Sequence, residues 1–503
     1  MLWWQWHISN SINNINLDSY VSKTQNNTIS LGTDPIGKLL ARYAIPAIIA
    51  MASSSLYHII DSIFIGHGVG GAAIAGMAVT LPIMNISAAF GAMVGVGAAA
   101  RISIRLGEGN KRAAEHILGN AVLLNLTLGI SIMLTFLFFL DPILVFFSGG
   151  DASAETLDYA RRFMRIIMFG NIITHLYLGL NEQLRASGYP QKAMYIMLTS
   201  IALCTILNPL FIFVFEWGIE GSAWATVISQ SICLAIQLRH YTSKESFLRF
   251  KRTSFKFNKR IIGAIISIGM APFILNVCAS FVTRFMNTAL LQYGGHGADD
   301  VISAATFGSE VGDVYVGAYG IMNRVILLFI MVGMGFNQGM QPIVGFNYGA
   351  KQYGRVLKAL KYTIFCATAV TTIAFLIGFF FPREVAAAFV DASTSNIDQA
   401  MIEVVAQGLS VAMMVFPLVG FQIVAGSFFQ YIGRAPLAMF LSATRQLLFL
   451  LPMLLILPKQ FGAMGAWMSM PIADSCSVVV AGTLLLLQIR KLRRMEHDMH
   501  FSH

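Results

Sequence analysis

The stretch Arg239–Arg260, "RHYTSKESFLRFKRTSFKFNKR", carries eight Lys or Arg against a single Glu. It lies near the middle of a 503-residue chain that is otherwise 56% hydrophobic and only 12% charged. Soluble domains hold about 25% charged residues, and the mean hydropathy here is +0.67. Outward from the basic stretch, apolar runs recur on both sides, each long enough for a bilayer core that needs roughly 20 residues to cross. We read six on either side. Backbone groups in lipid must be satisfied within their own segment, so these twelve runs are expected to be helices of an all-α integral membrane protein.

Charge gives the orientation. Basic residues gather at Arg105, Lys111 and Arg112, at Arg185 and Lys192, at Lys351, Arg355 and Lys358, and at Arg490, Lys491, Arg493 and Arg494. The alternate loops hold acids instead: Asp151, Glu155 and Asp158; Glu216 and Glu220; Asp299, Asp300, Glu310 and Asp313. The positive-inside rule then predicts a multi-pass protein of the inner (cytoplasmic) membrane with both termini in the cytoplasm. The net charge of +10 therefore reads as topology, and nucleic acid is not an expected partner. The five cysteines stand singly in apolar segments without CxxC spacing, as small packing residues do.

The basic stretch also divides the chain into similar halves. Pro46 and Pro272 are 226 residues apart, as are Asp61 and Asn287, and "GIEGSAWATVIS" (218–229) answers "GAMGAWMSMPIA" (462–473). Six helices is an even number, so the halves share one orientation and are related by a pseudo-two-fold axis along the membrane normal. The expected organisation is a flexible cytoplasmic tail over 1–33 and a six-helix bundle over 34–240. A basic cytoplasmic linker follows over 241–260, then a second bundle over 261–490 and a tail over 491–503. The second half carries an insertion near 294–313. Residues 1–33 lack the charged start, apolar core and cleavage site of a signal peptide. Secondary transporters place their substrate path at such a repeat interface.

With "IIDSIFIGHG" (59–68), "LNPLFIF" (207–213), "NQGMQPIVGFNYGAK" (337–351) and "ILPKQFGAMGAWMSMPIAD" (456–474), the chain resembles the MATE (multidrug and toxic compound extrusion) family, in its MepA-like branch. The resemblance runs from about 36 to 490. It implies two bundles in a V around a central cavity and export of drugs driven by H⁺ or Na⁺, with no organic cofactor. It also implies a cation-coupling layer at Asp61, Asn208 and Thr226, with Cys204 beside it. Many relatives have Asp at the Asn208 position and Asn at the Cys204 position, so this layer departs from the family pattern.

Counting from the helix ends puts Asp61, Asn208 and Thr226 at one depth in the outer half of the first bundle. A charge at a bilayer centre costs about 2.5–3.5 kcal/mol even on lenient scales, so an acid kept there reads as functional. A lone carboxylate among neutral oxygens is a poor Na⁺ cage. Protonation needs no cage, because burial already disfavours the charged form of a carboxylate. The expectation is H⁺ coupling, with Na⁺ at Asp61 as the competing reading. His58 stands one turn before Asp61, and Pro46, which removes a helical hydrogen bond, is a candidate hinge. Asp474 and Arg445 match in depth on two arms of a hairpin and are expected to form a structural ion pair. Glu182 faces Arg185 one turn on, at the inner interface; with His58, Asn287 and Gln341 it is a candidate for the substrate cavity. Arg284 takes the place of His58 in the repeat and has no assigned role. The 26 Met and 37 Phe suit a pocket for lipophilic cations.

The expectation is therefore an antiporter of lipophilic, cationic small molecules that works by alternating access as a single chain in the bilayer. A flippase of lipid-linked oligosaccharide or another lipid is the alternative. It calls for a basic cavity, and Arg284 and Arg445 stand alone. An enzyme is disfavoured by the lack of HExxH, GxSxG, P-loop or CxxC patterns, and a channel by the lack of a filter-like sequence.

Overall fold

The computed structural model describes residues 30–148, 153–244, 246–302, 311–389 and 396–500. Among them there are helices and connecting turns, and no strand. In the first half α1 is Ile36–Gly68, α2 Gly71–Gly107, α3 Lys111–Phe138 and α4 Ala154–Ala186. Next come α5, Pro190–Pro209, and α6, Gly218–Thr242. The second half opens with α7, Lys259–Tyr293, α8, Val311–Gly349, and α9, Tyr353–Phe380. The span α10 comprises Asn396–Met413 and Phe416–Tyr431. The last two, α11 (435–461) and α12 (463–500), follow each other through a turn at Gly462.

That turn reverses the chain. Arg445 and Asp474 touch across it, whereas 29 residues of straight helix would hold them about 43 Å apart. Gly462 has φ 61°, a conformation open to glycine. A Cβ there would stand 2.4 Å from Gly297 N. The Asp300 carboxylate closes the turn, accepting from Gly295, Gly297, Ala463 and Met464 N–H groups. The described part of the insertion thus caps the start of α12, whose first N–H groups have no helical partner. Residues 303–310 lie outside the described residues.

Proline shapes two of the spans. At α10 the two segments bend by 53°, where Pro417 opens the second segment and cannot donate to the first. In α5, Pro209 is followed by the wider turn Leu210–Val214, and Phe215 N–H reaches five residues back to Leu210 O. Such widened turns collect at functional sites, and Asn208 directly precedes this one.

The bundles share a seam built from α1 against α8 and α2 against α7, the pairs that a two-fold axis interchanges. Backbones meet there through glycines. A Cβ on Gly335 would lie 2.9 Å from Ile48 Cα and one on Gly339 2.7 Å from Ala44 Cα. On Gly269 it would lie 1.8 Å from Met93 O, and on Gly97 2.2 Å from Ile265 O. All these contacts lie in the half of the membrane nearer the linker.

The lead helix of each half also crosses between cores. Ile36, Leu39, Leu40 and Tyr43 of α1 are buried with Met340, Ile343, Val356 and Leu360 of the second half. Further along the same helix, Ile65 joins the first bundle's own core with Phe163, Met164 and Ile219. Conversely, Ile262 and Ile265 of α7 pack with Ile102, Leu118 and Leu180 of the first half, while Met286 and Leu290 lie in the second bundle's core with Trp467. Pro46 and Pro272 sit near these two crossings.

Described structure begins before α1. Asp34 N–H bonds Ser30 O, and Leu31 is buried, its carbonyl taking bonds from Asn347 and Arg355. The expected tail over 1–33 thus ends in a docked turn at 30–33; residues 1–29 lie outside the described residues.

Candidate functional site

Asp61 comes two turns before the end of α1, and the unwinding after Pro209 holds Asn208 opposite it. Asn208 Nδ2 donates to Asp61 Oδ1 at 2.5 Å, and Ser222 Oγ of α6 donates to the same oxygen at 2.8 Å. Asp61 is 5% exposed, and Asn208 and Ser222 are fully buried. Three helices, α1, α5 and α6, thus meet on one carboxylate through uncharged donors. Tyr57, one turn before Asp61, accepts from Asn208 Nδ2 at 3.4 Å. Its phenol also neighbours Thr226 and Cys204.

The residues predicted for the coupling layer are therefore brought together, with a change in roles. Thr226 Oγ1 donates to Ser222 O at 3.2 Å and stands one turn beyond the carboxylate; Ser222 makes the direct bond. Cys204 Sγ points to Ala225 O. Ser222 and Tyr57 were not singled out from the sequence. The signal was available: Ser222 is four residues from Thr226 and Tyr57 four from Asp61, so each shares its partner's helix face.

Asn208 Oδ1 is buried without a hydrogen-bond partner. A buried amide oxygen left unsatisfied is costly, and it adjoins the carboxylate. A carboxyl O–H, or a bare cation among Asp61, Asn208, Ser222, Tyr57 and Thr226, would use it. The donor set therefore fits a small coupling cation of either kind.

The other predicted residues lie elsewhere. The His58 side chain falls outside the described residues. Glu182 binds Arg185 on the linker side of α4, next to Tyr431 of α10. Gln341 is buried in the seam, where its Nε2 reaches Val96 O at 3.3 Å. Asn287 is half-buried on α7. Arg445 Nε donates to Asp474 Oδ1 at 2.6 Å. Arg284 spans the two halves: its Nη1 reaches Phe146 O at 2.8 Å and its guanidinium lies 4.4 Å from the Phe146 ring. Phe146 belongs to the short helix Leu140–Ser148 that precedes α4.

Two six-helix bundles in one orientation, with a carboxylate buried among polar side chains inside the span, are the architecture of a membrane transport protein. Comparison with known proteins gives the family. The MatE family model matches residues 46–210 and 301–455, so the chain belongs to the MatE family. It is 24% identical over 453 residues to the multidrug export protein MepA of Staphylococcus aureus strain N315, covering 90% of this chain and 94% of that one. Identity to MepA of Staphylococcus haemolyticus strain JCSC1435 is 24% over 446 residues, covering 89% and 92%. Among solved structures, the crystal structure of MATE in complex with MaL6 superposes with a TM-score of 0.82 at 22% identity, covering 93% and 99%. An outward-facing multidrug resistance MATE family transporter of the MOP superfamily gives 0.82 at 22%, covering 92% and 98%.

Proposed function

We propose that this protein is a multidrug efflux antiporter that exchanges H⁺ for lipophilic, cationic compounds across the cytoplasmic membrane, with both termini inside. The observation that carries the reading is the Asp61 carboxylate held by Asn208 and Ser222. Ionised, Asp61 accepts from both neighbours and ties α1 to α5 and α6. Once it carries a proton, the carboxyl becomes a donor, and Asn208 can turn its unused Oδ1 to receive it. The bond pattern across the three helices then changes without any charge being left in lipid. Loss of that charge also removes the attraction for a cationic drug, so proton and drug compete.

Pro46 links this event to the seam. It lies 15 residues from Asp61, about 22 Å along the helix, between Ala44 and Ile48, the residues that meet Gly339 and Gly335. A change of bend at Pro46 would shift the contact between bundles. The close packing of the seam on the linker side supports a state closed toward the cytoplasm. The names of the relatives, multidrug export proteins, support export of more than one drug. Exchange of one H⁺ for one monovalent cation moves no net charge, so the pH gradient is the driving force: each pH unit is a tenfold proton ratio, about 1.4 kcal/mol, and sustains about a tenfold drug ratio.

The test is dye efflux from proteoliposomes under separate H⁺ and Na⁺ gradients with wild type, Asp61→Asn and Asp61→Ala. Efflux that follows the pH gradient and is lost in both variants is the expected result. Full efflux by Asp61→Ala removes the coupling role, and a Na⁺ requirement at fixed pH replaces the ion.

A further inference from the structure

We propose that the linker and the first turns of α3 form a binding site for an anionic phospholipid of the adjoining leaflet. The site is far from Asp61 and independent of the substrate exported. Residues 246–258 do not hang free between the bundles. Phe247 N–H donates to Tyr189 Oη, Phe250 N–H to Tyr241 O and Asn258 N–H to Asn120 Oδ1. The Ser254 carbonyl comes so near Gly119 that a Cβ there would lie 2.3 Å from it. The linker is thereby fixed to the first bundle, with Asn258 as the N-cap of α7.

Between this docked segment and α3 lies a half-open cavity of about 370 Å³, lined by Arg112, Glu115, His116, Lys251, Thr253 and Ser254. Arg112, Glu115 and His116 share one face of α3 at i, i+3 and i+4. Glu115, 2% exposed, is engaged by Lys251 Nζ at 2.5 Å. Lys111 lies close to both members of that pair and to Arg249, so with Arg112 four cations gather in a region that holds one buried carboxylate. Arg112 remains exposed at the cavity's edge, and Thr253 and Ser254 offer hydroxyls. A phosphodiester matches this set in charge, size and hydrogen bonding.

The second observation selects a lipid over a soluble anion. Immediately beyond the cavity Phe257 turns its ring outward, 61% exposed, while Phe255, 37% exposed, leans on the Phe250 ring with centroids 5.4 Å apart. They alternate with Lys256 and precede Lys259 and Arg260, where α7 enters the membrane. Exposed Phe interleaved with Lys and Arg at a helix's point of entry fits the headgroup–acyl boundary of an anionic leaflet. The rings supply the apolar contact, and the cavity receives the phosphate.

The experiment is native mass spectrometry of the full-length protein, titrated with phosphatidylglycerol, phosphatidylcholine or soluble glycerol phosphate. The first phosphatidylglycerol adduct should bind more tightly than the phosphatidylcholine adduct, and glycerol phosphate should bind far more weakly than either. Each basic residue near an anionic surface contributes about 1 kcal/mol, so Arg112→Gln should weaken the first phosphatidylglycerol adduct roughly fivefold and leave phosphatidylcholine unchanged. Phe257→Ser, at the more exposed ring, should weaken both lipids. Equal affinities of the two lipids for wild type overturn the proposal. So does a phosphatidylglycerol preference that survives Arg112→Gln, or glycerol phosphate binding as tightly as the lipid.

Discussion

Asp61 and Asp474 are equally buried, each 5% exposed, in the two bundles of one repeat, yet their surroundings differ in kind. Asp61 accepts from an amide and a hydroxyl, whereas Asp474 accepts from the Arg445 guanidinium. Both arrangements stand beside a widened helical turn next to proline: Leu210–Val214 after Pro209, and Thr444–Leu450 before Pro452. The same backbone device thus serves two chemistries. An amide and a hydroxyl hold a carboxylate without cancelling its charge, whereas a guanidinium cancels it. On the function proposed above, exchange belongs to the first half and the second half holds a structural pair.

The largest expected effect breaks the comparison on the first side. Asp61→Asn should abolish gradient-driven dye efflux in proteoliposomes, although its geometry is nearly unchanged. The second prediction breaks it on the other side. Arg445→Met alone leaves Asp474 as an uncompensated buried charge, which costs about 3–5 kcal/mol, read as a lower Tm in detergent. Arg445→Met with Asp474→Leu should recover most of that loss, because an apolar pair of similar volume replaces both charges. An unrescued double variant would mean that the second bundle's pair is more than structural.

Asn208→Asp sharpens the comparison by adding a second acid beside Asp61. Two carboxylates and the nearby hydroxyls make a better cage for a bare cation, so efflux should acquire a Na⁺-dependent component that wild type lacks. A smaller change is Ser222→Ala. It removes one hydrogen bond to a charged group, worth about 1.5–3 kcal/mol, and should lower coupled efflux about tenfold without abolishing it. Thr226→Ala, at a hydroxyl that bonds backbone instead of the carboxylate, should have less effect than Ser222→Ala.

Hydrophobic length and the alternation of basic and acidic loops made the twelve spans legible, because lipid forces every backbone group into helix whatever the side chains. The pairing of Arg445 with Asp474 could be counted off along a hairpin. Side-chain choice within a helix face was not legible: counting put Thr226 level with Asp61, whereas Ser222, one turn earlier on the same face, makes the bond. The bend in α10 follows from Pro417, which lies in an apolar run that reads as a single span. Arg284 was opaque for another reason. Its partner Phe146 lies in a short outer helix of the other half, a contact across 138 residues that no periodicity announces.

The crossing of α1 and α7 also bears on how the protein can be made. Each bundle's core on the linker side contains the first helix of its neighbour, so a fragment cut at the linker would leave a groove in one product and an apolar overhang on the other. Either half produced alone should be an incomplete solid, exposed to proteolysis and prone to mispairing. The two halves produced together have what they need to rebuild the transporter from separate polypeptides. During synthesis, α1 must therefore wait in the membrane for α8 and α9, and the first bundle closes only after α7 has emerged.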